Sequence, residues 1–333
     1  MLKNRFALLL ILVLACVARA GAPRDFAAHP AIAELDTPND VYAIGDVHSD
    51  YHALTKALAG AKLIDALNSD PNKLKWIGGD NVLVCTGDIL DKGDDALDCI
   101  AALRHLQQTG HVIVTMGNHE AEFLAGKGKK KKSKKVVDQL STGKRFIDEL
   151  SKANIALDSV RDSQDAGGIG AFLRDLPIGA RVNDSFFSHA GNTHGMSVAV
   201  LNKAITEEVT RDGFSAAILQ DPDSILQARM HPRPWWEAEG GDDILRRNLT
   251  ALGVSRIVFG HQPGEAKFAD GTRRSADEMF AGPNGQFVMI DIGMSQGVDG
   301  TPPALLRIHR TDDGKSELSQ LSADGTMRPL LKR

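Results

Sequence analysis

Short apolar runs recur along the chain and are separated by longer amphipathic stretches. The runs are Val41-Tyr42-Ala43-Ile44, Val82-Leu83-Val84, Val112-Ile113-Val114, Phe186-Phe187-Ser188, Ile257-Val258-Phe259 and Phe287-Val288-Met289-Ile290. They are nearly continuous in apolar character and bounded by Gly, Asp or Asn, which predicts strands covered on both faces. Helical patterns lie between them, at Tyr51–Ala61, Asp94–Gln107, Val136–Lys152, Ser197–Arg211 and Asp243–Leu252. Ala96, Leu97, Ile100, Leu103 and Leu106 keep the three-to-four spacing of one buried helix face. Such alternation predicts a layered α/β architecture. No repeat of fixed period is visible, residues 21–38 read as an exposed lead-in, and the chain from about 286 is richer in strand than helix.

The first twenty residues follow another pattern. Lys3 and Arg5 precede the apolar run Phe6 to Val17, and Ala18-Arg19-Ala20 places small residues before a cut. That is the layout of a secretory signal, so residues 1–20 are expected to be removed near Ala20, leaving a secreted or periplasmic protein. Twelve helical residues reach about 18 Å, short of the ~30 Å hydrocarbon core, which argues against a stable membrane span. The alternative is a lipoprotein anchored at Cys16, after Val13-Leu14-Ala15.

Composition narrows the picture. The 333 residues carry 39 Lys+Arg against 43 Asp+Glu, and aromatics are 5%. No basic field advertises nucleic acid, and no aromatic platform suits single strands. A chain of this length builds its core without metal or disulfide, so metal ligands here are functional. Export permits a Cys85–Cys99 disulfide, but the reading taken is two buried thiols acting as small apolar residues.

The chemistry sits where the strands end. Five of them run into Gly45-Asp46-Val47-His48, Gly87-Asp88-Ile89-Leu90-Asp91, Gly117-Asn118-His119-Glu120, His189-Ala190-Gly191 and Gly260-His261. Ligands in open α/β sheets bind beyond the carboxyl ends of strands, so these clusters are expected to converge. Asp46, His48, Asp88, Asn118, His189 and His261 supply oxygen and nitrogen donors without thiolate, a set suited to Mn, Fe or Zn. Six donors suffice for two ions bridged by Asp88, about 3.5–4 Å apart. Asp46 or His48 taken singly reads as well as a helix cap.

The ordered set GDVHSD, GDILDKG, GNHE, SHAG and GHQP resembles the metallophosphoesterases, and within them the phosphoprotein-phosphatase branch and its bacterial Shewanella-like members; IDIGMS at 290–295 is similar to the same group. The likeness spans residues 39–310, leaving 311–333 as a C-terminal extension. It implies a four-layer α/β/β/α sandwich with a dinuclear site at the strand ends. It implies hydrolysis of phosphomonoesters, with phosphoprotein as the favoured substrate, by a metal-bridging hydroxide. Asp46, His48 and Asp88 would hold one ion, and Asp88, Asn118, His189 and His261 the other. His119 would be the general acid, oriented by Asp91, and Lys92, Asn118 and Arg229 would hold phosphate oxygens. Lys92 stands where the family has Arg, which keeps the charge and loses the planar fork. Ser49 stands where the family has Gly, and no late tyrosine follows Tyr51. Hydrolysis of dinucleoside polyphosphates or nucleotides is the alternative enzyme, and a non-catalytic phosphate-binding protein the alternative class.

The remaining features have blander readings. His52, His105, His111 and His194 belong to no motif, and His231 lies near Arg229 but reads as a loop residue. Trp235-Trp236 reads as core, with a substrate wall as its alternative. Lys127 to Lys135 holds seven lysines in nine positions. It reads as a solvated insertion, or as a recruiting patch for an anionic substrate or surface.

Overall fold

A computed structural model describes residues 24–126, 143–229, 234–237, 243–268 and 271–331. Residues 1–20 with Cys16, the segment Lys127–Lys135 and His231 lie outside the described residues.

Two six-stranded sheets form the centre. The first runs in the order β1 (Ile32–Leu35), β5 (Gly179–Val182), β6 (Ser185–Ser188), β7 (Arg256–Phe259), β11 (Phe287–Met289) and β10 (Phe280–Ala281). The second runs β14 (Met327–Pro329), β13 (Ser316–Ser322), β12 (Ala304–Arg310), β2 (Val41–Ile44), β3 (Val82–Cys85) and β4 (Val112–Val114). A small ribbon pairs β8 (Ala266–Lys267) with β9 (Arg273–Arg274). Every residue of β2, β3, β6, β7 and β11 is buried, which is why their sequences are continuous rather than alternating. Helices Tyr51–Gly60 and Ala96–Gln107 pack on the second sheet, and helix Val198–Asp212 packs beside β1 of the first. One hydrophobic core runs through both sheets. The expected sandwich of sheets flanked by helices is the one observed.

Strand direction places the site. β2, β3 and β4 are mutually parallel in one sheet, and β6, β7 and β11 are mutually parallel in the other. Each trio delivers three loops to its carboxyl edge.

Two stretches set outside the domain by sequence belong to its sheets. Residues 21–38 are not an exposed lead-in where they are described. Ile32–Leu35 pairs in parallel with β5, and the buried Arg24 guanidinium donates to the carbonyls of Arg174, Leu176, His29 and Pro30. Residues 311–333 are not an appendage either, since β13 and β14 complete the second sheet through antiparallel pairing with β12. The helix expected over 136–152 is seen over Lys144–Lys152, its earlier part lying outside the described residues. Cys85 and Cys99 are buried free thiols, as the apolar reading has it.

Candidate metal centre

Six strand ends converge. β2 leads to Asp46 and His48, β3 to Asp88, β4 to Asn118, β6 to His189, β7 to His261 and β11 to Asp291. Two groups of possible metal donors form there, His48–Asp88–His119 and Asp88–His189–His261, and Asp88 belongs to both. The shared carboxylate is the geometry a bridging ligand requires.

The loops are held by main chain. His48 N–H donates to the Asp88 carbonyl at 2.8 Å, and Ser49 N–H to that of Ile89 at 2.7 Å. The φ angles of His48, Asp88, Asp91, Lys92 and His261 are 44°, 48°, 66°, 67° and 65°, a left-handed region that side chains disfavour. Such strain persists only where neighbours over-determine the backbone. Gly117 supplies part of that constraint, because a Cβ there would strike the Asp88 nitrogen and Oδ1.

Each imidazole is aimed by a second partner. His48 Nδ1–H donates to the Leu90 carbonyl at 3.1 Å, and His189 Nδ1–H to that of Thr86 at 3.1 Å. Both therefore turn Nε2 toward Asp88, at 3.6 Å from its Oδ2 and 3.3 Å from its Oδ1 respectively. Asn118 Oδ1 lies 2.9 Å from His189 Nε2. Asp46 accepts from the His261 N–H through both oxygens, at 3.0 and 3.1 Å, and its Oδ2 is 3.9 Å from His48 Nε2.

Electrostatics divides the histidines. Burial drives His48 down to about 4, with Lys92 adding to the fall against the pull of Asp88. Burial, His189 and Arg229 push His261 well below its usual range. Both are neutral near pH 7, as metal ligation demands. His119 behaves oppositely: burial opposes its proton, but Asp88 and the Asp91 hydrogen bond at 2.8 Å raise its pKa. His189 is also raised against burial, by Asp88. Asp88 itself is held well below the usual carboxylate range, since the surrounding imidazoles overcome burial. Burial, then Asp291 and Asp88, hold Asp46 well above it.

The donor set fits cations. His261 Nε2 is buried with no hydrogen-bond partner among the described residues, and it belongs to the same cluster as Asp88 and His189. An orphaned lone pair in that position is costly unless an ion takes it.

Of the other residues named from sequence, Asp91 is buried beside His119, and its Oδ2 also accepts from the Gly143 N–H at 2.5 Å. Lys92 and Arg229 are exposed, and both act electrostatically on site histidines. Trp235 and Trp236 are core residues, with Trp236 4.5 Å from Phe287 between ring centres. His105 Nε2–H donates to the Leu74 carbonyl at 2.9 Å, and His111 stacks on Trp76, away from the cluster.

Three residues escaped the sequence reading. Glu120, fully buried, accepts from the N–H groups of Gly117, Asp88, Ile89 and Leu90 at 2.8–3.0 Å. Asp291 is buried beside Asp46, and burial lifts it to about 6. Arg274, equally buried, donates to the carbonyls of Gln262, Asp291 and Glu278. Asp291 follows the same strand-end rule that picked out the others. Glu120 had a weaker signal, as an acid at the third position of a helix opening.

Comparison with known proteins agrees with this geometry. The family described as calcineurin-like phosphoesterase matches residues 40–265. Shewanella-like protein phosphatase 1 of Plasmodium berghei is 24% identical over 77% of this chain and 67% of its own length. Shewanella-like protein phosphatase 2 of Arabidopsis thaliana is 36% identical over 28% of this chain and 23% of its own. A symmetrical bis(5'-nucleosyl)-tetraphosphatase of Janthinobacterium is 26% identical over 68% of this chain and 69% of its own. Among solved structures, a cold-active protein tyrosine phosphatase superposes with a TM-score of 0.65 at 20% identity, covering 90% of this chain and 80% of that one.

Proposed function

The chain belongs to the calcineurin-like phosphoesterase family, and from that membership we propose that it is an exported protein phosphatase with two cations in its site. As a member it is a metal-dependent phosphoric ester hydrolase. The finer reading assigns Asp46, His48 and Asp88 to one ion and Asp88, Asn118, His189 and His261 to the other. The mixed oxygen and nitrogen donors favour Mn, Fe or Zn. When bound, the ions supply positive charge for the phosphate oxygens and acidify a water.

The observation that carries the reading is the His119–Asp91 pair beside the shared Asp88. Asp91 Oδ2 accepts from His119 Nδ1–H at 2.8 Å, so Nε2 faces the cluster, 3.8 Å from Asp88 Oδ2. Asp88 and the Asp91 hydrogen bond raise its pKa against burial, which favours the protonated ring. It is thus prepared to give a proton to the departing alkoxide or phenoxide. Lys92 and Arg229, both exposed and both acting electrostatically on site histidines, would hold phosphate oxygens from the rim.

Protein substrates are favoured by the two Shewanella-like phosphatase relatives. The Janthinobacterium relative favours a second reading, nucleotide hydrolysis. Export rests on the layout of residues 1–20, and recruitment of anionic partners on Lys127–Lys135. No helix among the described residues is long and apolar enough to cross a membrane. The deciding experiment assays purified protein on phosphoseryl, phosphothreonyl and phosphotyrosyl peptides and on diadenosine tetraphosphate, before and after chelation. Chelator-sensitive release of phosphate from peptides is expected. A higher kcat/KM on the dinucleotide would transfer the assignment to nucleotides, and no turnover on any substrate would leave a binding protein.

A further inference from the structure

Glu122 makes two contacts that none of the roles above uses. It follows Asn118 by one turn on the helix Asn118–Leu124. Its Oε1 accepts from Asn118 Nδ2 at 3.4 Å and from Gln227 Nε2 at 3.0 Å. A carboxylate only accepts, so it discriminates between the two ends of an amide. With the NH2 end of Asn118 drawn to Glu122, Oδ1 points to the His189 side of the cluster, 2.9 Å from Nε2. A flipped amide would present N–H donors to a cation, which repels them.

The second contact concerns Arg229. The segment Asp221–Arg229 lies on the His189 loop, through Ala190 N–H to the Ile225 carbonyl at 2.9 Å and Asn192 Nδ2 to the Asp223 carbonyl at 2.8 Å. Those anchors hold its beginning. Gln227, two residues before Arg229, is tied to Glu122. We infer that Glu122 is a positioning residue, which turns the Asn118 amide toward the cation and, through Gln227, seats Arg229 for phosphate. The inference rests on the assignment of Asn118 as a metal ligand.

The test uses calorimetric titration of chelated full-length protein with Mn²⁺, alongside steady-state kinetics. Wild type is expected to take up two ions. Glu122→Ala should weaken one of the two by about 10- to 100-fold and raise KM. Glu122→Gln retains an acceptor oxygen and should restore the metal affinity to within about threefold of wild type. Gln227→Ala should raise KM while its metal titration follows wild type. Wild-type metal affinity in Glu122→Ala would overturn the inference. So would a Glu122→Gln variant as weak as Glu122→Ala, since charge rather than amide orientation would then be at work. Wild-type protein that takes up no Mn²⁺ would overturn the ligand assignment and the inference with it.

Discussion

Glu120→Gln measures how much of the site is built by a side chain that touches no substrate. Oε1 of Glu120 accepts from Ile89 and Leu90, and Oε2 from Asp88 and Gly117. An amide offers one oxygen, so in either orientation two of these buried N–H groups lose their acceptor. Each unsatisfied donor costs about 1–3 kcal/mol, or about 2–6 together. Against this, burial lifts the Glu120 carboxyl from 4.5 to about 6, which disfavours its charged form by about 2 kcal/mol. The neutral amide recovers that amount. The midpoint of that range leaves a net loss of about 2 kcal/mol, and at about 2 °C per kcal/mol for a domain of this size Tm should fall by about 4 °C. The same N–H groups hold Asp88 at a φ of 48°, so metal affinity should fall as well, by about 10- to 100-fold. Calorimetry of the chelated variant gives the first quantity, and Mn²⁺ titration the second. Glu149 is the control: it accepts from the N–H groups of Ala96 and Leu97 at 2.9 Å, at a helix start outside both donor groups. Glu149→Gln should lower Tm and leave the metal titration unchanged. A Glu120→Gln protein that melts within 1 °C of wild type, or that loses stability while binding metal as wild type does, would refute the reasoning.

Other outcomes follow from the same geometry. His119→Ala should lower kcat by about 10²–10⁴-fold with metal uptake intact, checked by kinetics and metal analysis. Lys92→Arg restores a bidentate fork for phosphate and should lower KM by about fivefold, worth about 1 kcal/mol; an unchanged KM would show that Lys92 does not hold phosphate. Burial pushes the Cys85 thiol up to about 12 and that of Cys99 well above its usual value. Native protein should therefore show no reaction of these two with a thiol reagent at pH 8, and denatured protein should titrate both. A third reactive thiol in the denatured protein purified from the producing cells would mean that Cys16 had been retained.

What the sequence disclosed, and what it hid, has a physical pattern. β2, β3, β6, β7 and β11 are buried on both faces, and their apolar runs are unmistakable. β13 keeps exposed or half-buried positions at both ends and alternates less cleanly, so it blurred into an extension. β1 holds only four residues with one exposed, and passed for lead-in. The helix Asn118–Leu124 was hidden because its first residues were read for chemistry, and they are both ligands and a helix start. The donors themselves were legible because each ends a strand after or near a glycine. Glu120 and Arg274 were not, because their work is to satisfy main-chain groups brought from 30 and 17 residues away. No periodicity records such an approach.

The seat of Gly117 against the Asp88 loop bears on how a catalyst like this acquires new substrates. Because main chain meets main chain there, the spacing of the donors is set below the level of side chains. Lys92 and Arg229 stand outside that contact, exposed to solvent. Exchanging them leaves that main-chain contact in place and changes only the charge felt by His48 and His261. Selection for a different phosphoester can remodel the rim while the interior passes through unaltered.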